Sequence, residues 1–147
     1  MEDRYLFRAK RLDNGEWIVG SLIQTPYLGS IRSWISSEQE DKTRLREISS
    51  NQAVWRAFEV RTDTICQCTG LKDKTGKLIW EIYIVKGTWF DKGKSHRHIG
   101  TVSYICCAYK VVGVKQYYGL HDELNGSYTV IGNIFDNKEL LESEEKE

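Results

Sequence analysis

The sequence has little proline, no long apolar run and no excess charge of either sign. A single proline among 147 residues excludes collagen-like and proline-rich disordered chains. The longest mostly apolar run, residues 102–114, is interrupted by Ser103, Lys110 and Gly113. It falls short of the roughly 20 residues that a membrane-spanning helix needs, so we expect no membrane partner. Because 21 basic residues balance 21 acidic ones, the whole chain is not a strongly basic nucleic-acid binder.

Recognised catalytic and cofactor motifs are missing as well. The sequence has no Walker-type phosphate loop, no dinucleotide fingerprint and no nucleophile at a diagnostic spacing from a base. Residues 69–77 contain glycine and lysine, but they lack the Walker spacing and precede a predicted strand rather than a helix. We therefore expect a protein that is not an enzyme and that takes no cofactor.

The four cysteines are poorly spaced for a metal site. One residue separates Cys66 from Cys68 and none separates Cys106 from Cys107, whereas structural zinc sites usually have about two to four. Adjacent cysteines in a predicted strand would also point to opposite faces. We expect reduced thiols that act as small buried hydrophobes. Residues 1–10 lack the apolar core of a secretory signal, so the expected location is the cytoplasm.

Length and patterning predict one mainly β domain. We assign residues 1–142 to a single β-rich domain and residues 143–147 to an acidic tail, since residues 136–147 hold six acids against two lysines. Turn sequences at residues 13–15 and 73–76 each separate two strand-like runs and predict two hairpins. Residues 87–100 are predicted to be a polar loop, and residues 101–114 a further strand region. Short helices are predicted only within residues 36–51 and 138–142, so the class is mainly β, or β-rich α+β at most.

Two stretches, residues 64–81 and 130–141, read TICQCTGLKDKTGKLIWE and VIGNIFDNKELL. They resemble the YopX family of phage and prophage proteins, whose members share a TGL-x-DK-x-GK-x-I element and a terminal VIGN-I-x-(D/E)-N-x-x-LL element. The opening residues 7–10 with Trp17 are similar to that family's first strand pair. The resemblance implies a β-dominated, barrel-like fold with one or two short helices and a bacterial host, and it supplies no established catalytic residues. The matching positions, interpreted as structural, are Thr69, Gly70, Leu71, Asp73, Gly76, Lys77, Ile131, Gly132, Asn133 and Leu140.

This chain departs from the family pattern at one place. The family usually continues with Glu-Gly-Asp-Ile-Val, whereas this chain has Glu81, Ile82 and Tyr83 followed by Ile-Val. Because glycine supports a tight turn or a bulge, its replacement by isoleucine predicts a more regular strand here. We therefore do not carry over to this chain any site that the family builds on this aspartate.

Two hypotheses for function follow. The leading one is a non-enzymatic phage or prophage accessory protein that binds a protein: a phage protein, a host protein or a second copy of itself. The alternative is a nucleic-acid-binding module that uses residues 89–98. There, Trp89 can stack on bases and Lys92, Lys94 and Arg97 can contact phosphates. The three histidines of the chain, two of them in this segment, lack an evident third ligand and are interpreted as surface residues.

Overall fold

Extended backbone dominates the computed structural model, which describes residues 5–37 and 57–141. The described helices are three 3₁₀ turns at Thr62–Thr64, Lys115–Tyr117 and Lys138–Leu140. The described strands are β1 (Phe7–Lys10), β2 (Trp17–Tyr27), β3 (Ser30–Ser36), β4 (Ala57–Val60), β5 (Cys66–Lys72), β6 (Leu78–Trp80), β7 (Tyr83–Asp91), β8 (Lys94–Ile105), β9 (Ala108–Gly113), β10 (His121–Glu123) and β11 (Thr129–Asn133).

The chain divides into two compact units, and the first covers residues 5–67. Its strands pair antiparallel in the order β4-β3-β2-β1, and the first residues of β5 pair with β1. The alternation of apolar and polar residues along β1 to β3 turns one face inward. The core of this unit consists of Ala9, Ile18, Ile35 and Val60.

The second unit begins at residue 68. Its five-stranded antiparallel sheet has the order β10-β9-β8-β7-β11, and the rest of β5 forms a hairpin with β6. Gly87 lets β7 approach the core closely, because a Cβ atom there would lie 2.5 Å from the Tyr128 ring. The buried side chains of this unit are Ile79, Val85, Val102, Val111, Leu124 and Tyr128.

The structure confirms the mainly β class. Among residues 5–37 and 57–141, the strands form two open antiparallel sheets and no closed barrel, so the barrel-like closure implied by the family resemblance does not occur there. Both predicted hairpins are confirmed: β1 and β2 flank residues 13–15, and β5 and β6 flank residues 73–76. The helical prediction at residues 138–142 is realised as a 3₁₀ turn, whereas most of residues 36–51 lies outside the described part of the chain.

The prediction of a loop at residues 87–100 is wrong. This segment is a long hairpin in which β7 and β8 pair as far as Asp91 and Lys94, around a two-residue turn at Lys92 and Gly93. Residues 90–97 are all exposed, so the sequence lacks the apolar alternation by which a half-buried strand is recognised. The segment after it is likewise two strands, because Cys106 and Cys107 form the turn between β8 and β9.

The prediction of a regular strand at residues 82–83 is also wrong. Strand β6 ends at Trp80, β7 begins at Tyr83, and Ile82 between them has a φ of 64°. This is the left-handed region that glycine favours and that β-branched residues avoid. The Ile82 N–H donates to the Val102 carbonyl at 2.9 Å and its own carbonyl accepts from Ile134 at 3.2 Å. These bonds hold a turn at the position where the family's sequence pattern has glycine.

Candidate binding surfaces

The β7–β8 hairpin carries all four candidate nucleic-acid contacts, but the structure divides them between its two faces. Trp89 pairs with His96, and Asp91 pairs with Lys94, so Trp89 and Lys94 share one face. Arg97 pairs with Thr88 and therefore lies on the opposite face. Lys92 sits in the turn with a φ of 48°.

An aromatic contact lies on the face of the hairpin that carries Trp89 and Lys94. The Trp89 and His96 rings stack with centroids 4.9 Å apart and an interplanar angle of 29°. Further along the same face, His98 is fully buried, which corrects its interpretation as a surface residue. His98 Nδ1 lies 2.8 Å from the Tyr128 hydroxyl, and Nε2 lies 3.1 Å from the Leu120 carbonyl oxygen. Because a carbonyl only accepts, Nε2 carries a proton, and in the neutral ring Nδ1 accepts from the Tyr128 hydroxyl.

The opposite face of the hairpin borders an open cleft of about 490 Å³ within the second unit. Strands β7, β8 and β11 and the turn after β5 supply its walls. Sequence reasoning selected only Arg97 here, because Lys74 and Lys86 lie in separate segments that only the strand pairing brings together. The cationic side chains that line it are Lys74, Lys86 and Arg97.

Asp73 joins the turn beside this cleft to strand β11. One carboxylate oxygen accepts from the Thr75 N–H at 2.8 Å, the Thr75 hydroxyl at 2.7 Å and the Lys77 N–H at 2.9 Å. The other oxygen accepts from the Val130 N–H at 3.0 Å. Burial alone raises the pKa of Asp73, but these hydrogen bonds outweigh it and lower the pKa to about 2. Asp73 is therefore an ionised structural anchor.

A second surface lies in the first unit, at the tip of the β2–β3 hairpin. Among residues 5–37 and 57–141, β2 beyond Gln24 pairs only with β3, and β3 before Ser33 pairs only with β2, so these strands form a two-stranded arm at the end of the hairpin. Its apolar side chains are exposed, with Leu28 90% and Ile31 57% accessible. Sequence reasoning treated residues 24–30 as loop punctuation, because proline and glycine there conceal an extended strand.

Arg32 contacts Glu59, Tyr27 and Trp34 on one face of the hairpin, and we call these four side chains the Arg32 ladder. The Arg32 guanidinium donates to both carboxylate oxygens of Glu59, at 2.8 and 2.7 Å. It also lies over the Tyr27 ring at 5.2 Å and the Trp34 ring at 5.1 Å. The hydrogen bonds from Arg32 lower the pKa of Glu59. Arg32 thus makes a bidentate contact with β4 and stacks on two rings of the arm.

Comparison with known proteins assigns the chain to a family. Residues 6–142 match the family model described as YopX protein. The chain belongs to the YopX family. The resemblance expected from the two sequence elements is thereby confirmed across nearly the whole chain. None of the curated proteins matches it.

The first YopX element forms the β5–β6 hairpin and its turn. The Thr69 hydroxyl donates to the Ile79 carbonyl at 2.7 Å and accepts from the Leu71 N–H at 3.1 Å. Gly70 and Gly76 have φ values of 77° and 90°, which glycine adopts without strain. The Leu71 side chain is 42% exposed and is the one apolar member of this element open to solvent.

The second YopX element forms β11 and the turn after it. Ile131 is the extra residue of a β-bulge opposite β7 and is exposed. A Cβ atom on Gly132 would lie 2.5 Å from Asn137 Oδ1, the same atom that accepts from the Asn133 N–H at 3.2 Å. The Asn133 side-chain oxygen accepts from backbone N–H groups two and three residues on. Leu140 is half-buried in the final 3₁₀ turn. This YopX element thus supports a bulge and a turn.

The cysteines divide into two pairs. Cys66 and Cys68 are buried, as expected, but Cys106 and Cys107 are exposed in their turn with φ values of 50° and 63°, so the expectation of burial is wrong for them. Within residues 5–37 and 57–141, no three histidine, cysteine or acidic side chains come together as a metal-ion cluster. In the same part of the chain, no helix has the length and apolar character needed to cross a bilayer.

Proposed function

We propose that this YopX-family protein is a non-enzymatic binding module that docks on a protein partner through the tip of the β2–β3 hairpin. The partner is a phage protein, a host protein or a second copy of the chain. We place this activity in the bacterial cytoplasm, as that of a phage or prophage accessory protein. The family resemblance supports the phage setting, and four cysteines present as thiols fit a reducing compartment.

The exposed apolar tip is the observation that carries the proposal. Pro26 and Ile31 are paired neighbours on one face of the arm, and Leu28 occupies the turn. Leu28 has a φ of 47°, which places a branched apolar residue where a polar or glycine residue is usual. Contiguous apolar side chains at an exposed tip cost solubility and commonly mark an interaction site.

The Arg32 ladder supports the same conclusion from a different direction. An isolated two-stranded hairpin is only marginally stable in water. Here the bidentate contact with Glu59 connects the arm to β4, and Arg32 also contacts Tyr27 and Trp34 along the arm. A preordered arm loses less conformational entropy when it binds, which strengthens the resulting complex.

The test compares two charged variants of the exposed tip with the wild type. Leu28→Asp and Ile31→Asp each place a charge on the tip, and Tyr118→Asp places one on an 88%-exposed aromatic residue of the other unit. Light scattering after size-exclusion chromatography measures self-association. Affinity capture from nuclease-treated host lysate, at matched bait concentration, measures a heterologous partner.

We expect a specific complex with the wild type and with Tyr118→Asp, and its loss with both tip variants. A partner retained by Leu28→Asp and Ile31→Asp at wild-type levels would contradict docking through the arm. We expect both tip variants to fold, because neither side chain belongs to the core of its unit. Circular dichroism checks this.

Nucleic-acid binding by the β7–β8 hairpin is the second candidate. The observation that favours it is the Trp89–His96 stack beside Lys92 and Lys94 at an exposed tip. Retention of single-stranded DNA that falls with salt, and that is lost in the double variant Lys92→Gln, Lys94→Gln, is the expected result. Retention that this variant leaves unchanged would count against the hairpin tip.

A further inference from the structure

The charged side chains that line the cleft beside the β7–β8 hairpin are all positive. Among the residues of the described ranges 5–37 and 57–141, its charged lining consists of three cations and no carboxylate. Of the five other polar residues that line it, four carry a hydroxyl group and the fifth is His96. The cations are Lys74, Lys86 and Arg97, and the hydroxyl residues are Thr88, Ser95, Ser127 and Thr129.

Strand pairing explains why the cations converge. Lys86 pairs with Thr129 on β11, and Thr88, two residues further along β7, pairs with Arg97 on β8. Residues paired directly, or two apart along a strand, share a sheet face, so Lys86 and Arg97 project from the same surface. Lys74 reaches this surface because its backbone N–H donates to the Tyr128 carbonyl at 2.9 Å. The positions are set by backbone hydrogen bonds.

These three charges have no partner in the described part of the chain. Within residues 5–37 and 57–141, no carboxylate forms a salt bridge with any of them. The neighbouring Asp73 has both carboxylate oxygens engaged in the turn. Three like charges around one open cleft create a positive potential that an anion relieves.

The donor geometry narrows the class of anion. A guanidinium offers a planar pair of N–H donors, and hydroxyl groups add short donors between the cations, a combination suited to a tetrahedral oxyanion. Phe90 pairs with Ser95 on the same face as Arg97 and is 72% exposed. An aromatic ring at that place can stack on a nucleobase.

We propose that this cleft binds a phosphate group carried by a nucleotide, with Lys74, Lys86 and Arg97 as its ligands and Phe90 against the base. The phosphate is presented by a free nucleotide or by single-stranded nucleic acid. The inference does not rest on docking through the β2–β3 arm, since the two surfaces belong to different units. Failure of one proposal therefore leaves the other standing.

The test is a titration of the ¹⁵N-labelled protein, followed by heteronuclear NMR at pH 7. The probes are sodium phosphate, thymidine monophosphate and pentathymidylate, each compared with sodium chloride at equal ionic strength. The variants are Lys86→Gln and Arg97→Gln. Lys110→Gln is the matched control, because Lys110 pairs with Ser103 on the same sheet face but does not line the cleft.

We expect saturable shifts of the Thr88 and Ser127 amide signals with phosphate, and binding roughly tenfold weaker in either cleft variant but not in the control. Tighter binding of thymidine monophosphate than of phosphate supports the base contact. Tighter binding of pentathymidylate than of thymidine monophosphate identifies nucleic acid as the source. Shifts no larger than those with chloride, or equal losses in Lys110→Gln, would overturn the proposal.

Discussion

Replacing Asp73 with asparagine removes the charge that holds the β5–β6 turn to β11. Four donors converge on this carboxylate, three on one oxygen and the Val130 N–H on the other. If the asparagine oxygen keeps the three donors, its NH₂ group faces the Val130 N–H, and two donors meet. Hydrogen bonds to charged groups contribute about 1.5–3 kcal/mol, so we expect Asp73→Asn to lower the free energy of unfolding by about 2–3 kcal/mol at pH 7.

The pH dependence of this loss gives an independent check. The folded-state pKa of Asp73 is lowered from 3.8 to about 2, so its ionised form stabilises the folded protein. A shift of this size corresponds to about 2 kcal/mol, fully present above the unfolded pKa and lost as pH falls from about 4 towards 2. The difference between wild type and Asp73→Asn should therefore narrow as pH falls through that window.

Urea unfolding followed by circular dichroism between pH 7 and pH 3 measures both effects. Asp63→Asn is the control, since Asp63 is exposed and its ion pair with Arg61 lies at the surface. We expect little change in that variant. A loss below about 0.5 kcal/mol for Asp73→Asn at pH 7, or a loss that stays constant down to pH 3, would refute the anchoring role.

Two further substitutions test the local structure. Ile82→Gly removes a half-buried side chain but also relieves the strain of a left-handed backbone, so we expect it to lower the free energy of unfolding by less than about 1 kcal/mol. Ile84→Gly, in the buried part of β7, should lower it by about 3 kcal/mol or more. Equal losses in the two variants would contradict the strain at Ile82. Tyr128→Phe leaves the buried His98 Nδ1 without its donor and should lower the free energy of unfolding by about 1–3 kcal/mol. Tyr104→Phe, at an exposed position, should change it little. A Tyr128→Phe variant as stable as the wild type would contradict the hydrogen bond.

Local turn chemistry allowed part of the fold to be predicted. The Asp-Asn-Gly turn ahead of Trp17 and the turn at residues 73–76 contain residues that accept positive φ, and both predicted hairpins formed. Cys106 and Cys107 both have positive φ although neither is glycine or asparagine, so no local signal marked their turn. The strand pairing of β8 with β9 imposes it.

The candidate surfaces were harder to predict, because they depend on pairing register rather than on local sequence. Register decides that Arg97 on β8 shares a sheet face with Lys86 on β7, whereas Lys94, three residues before Arg97, lies on the other face. Burial of His98 likewise depends on its distant partners Tyr128 and Leu120. A polar, glycine-containing segment looks the same in sequence whether it is a loop or an exposed hairpin.

Site-specific photo-crosslinking in the bacterial host tests the docking proposal most directly. A photoreactive phenylalanine analogue replaces Leu28 at the tip of the arm in one protein and Tyr118 in the control, both highly exposed. Docking through the arm predicts a crosslinked protein of defined mass from position 28 and none from position 118. No product from position 28, or the same products from both positions, would contradict it.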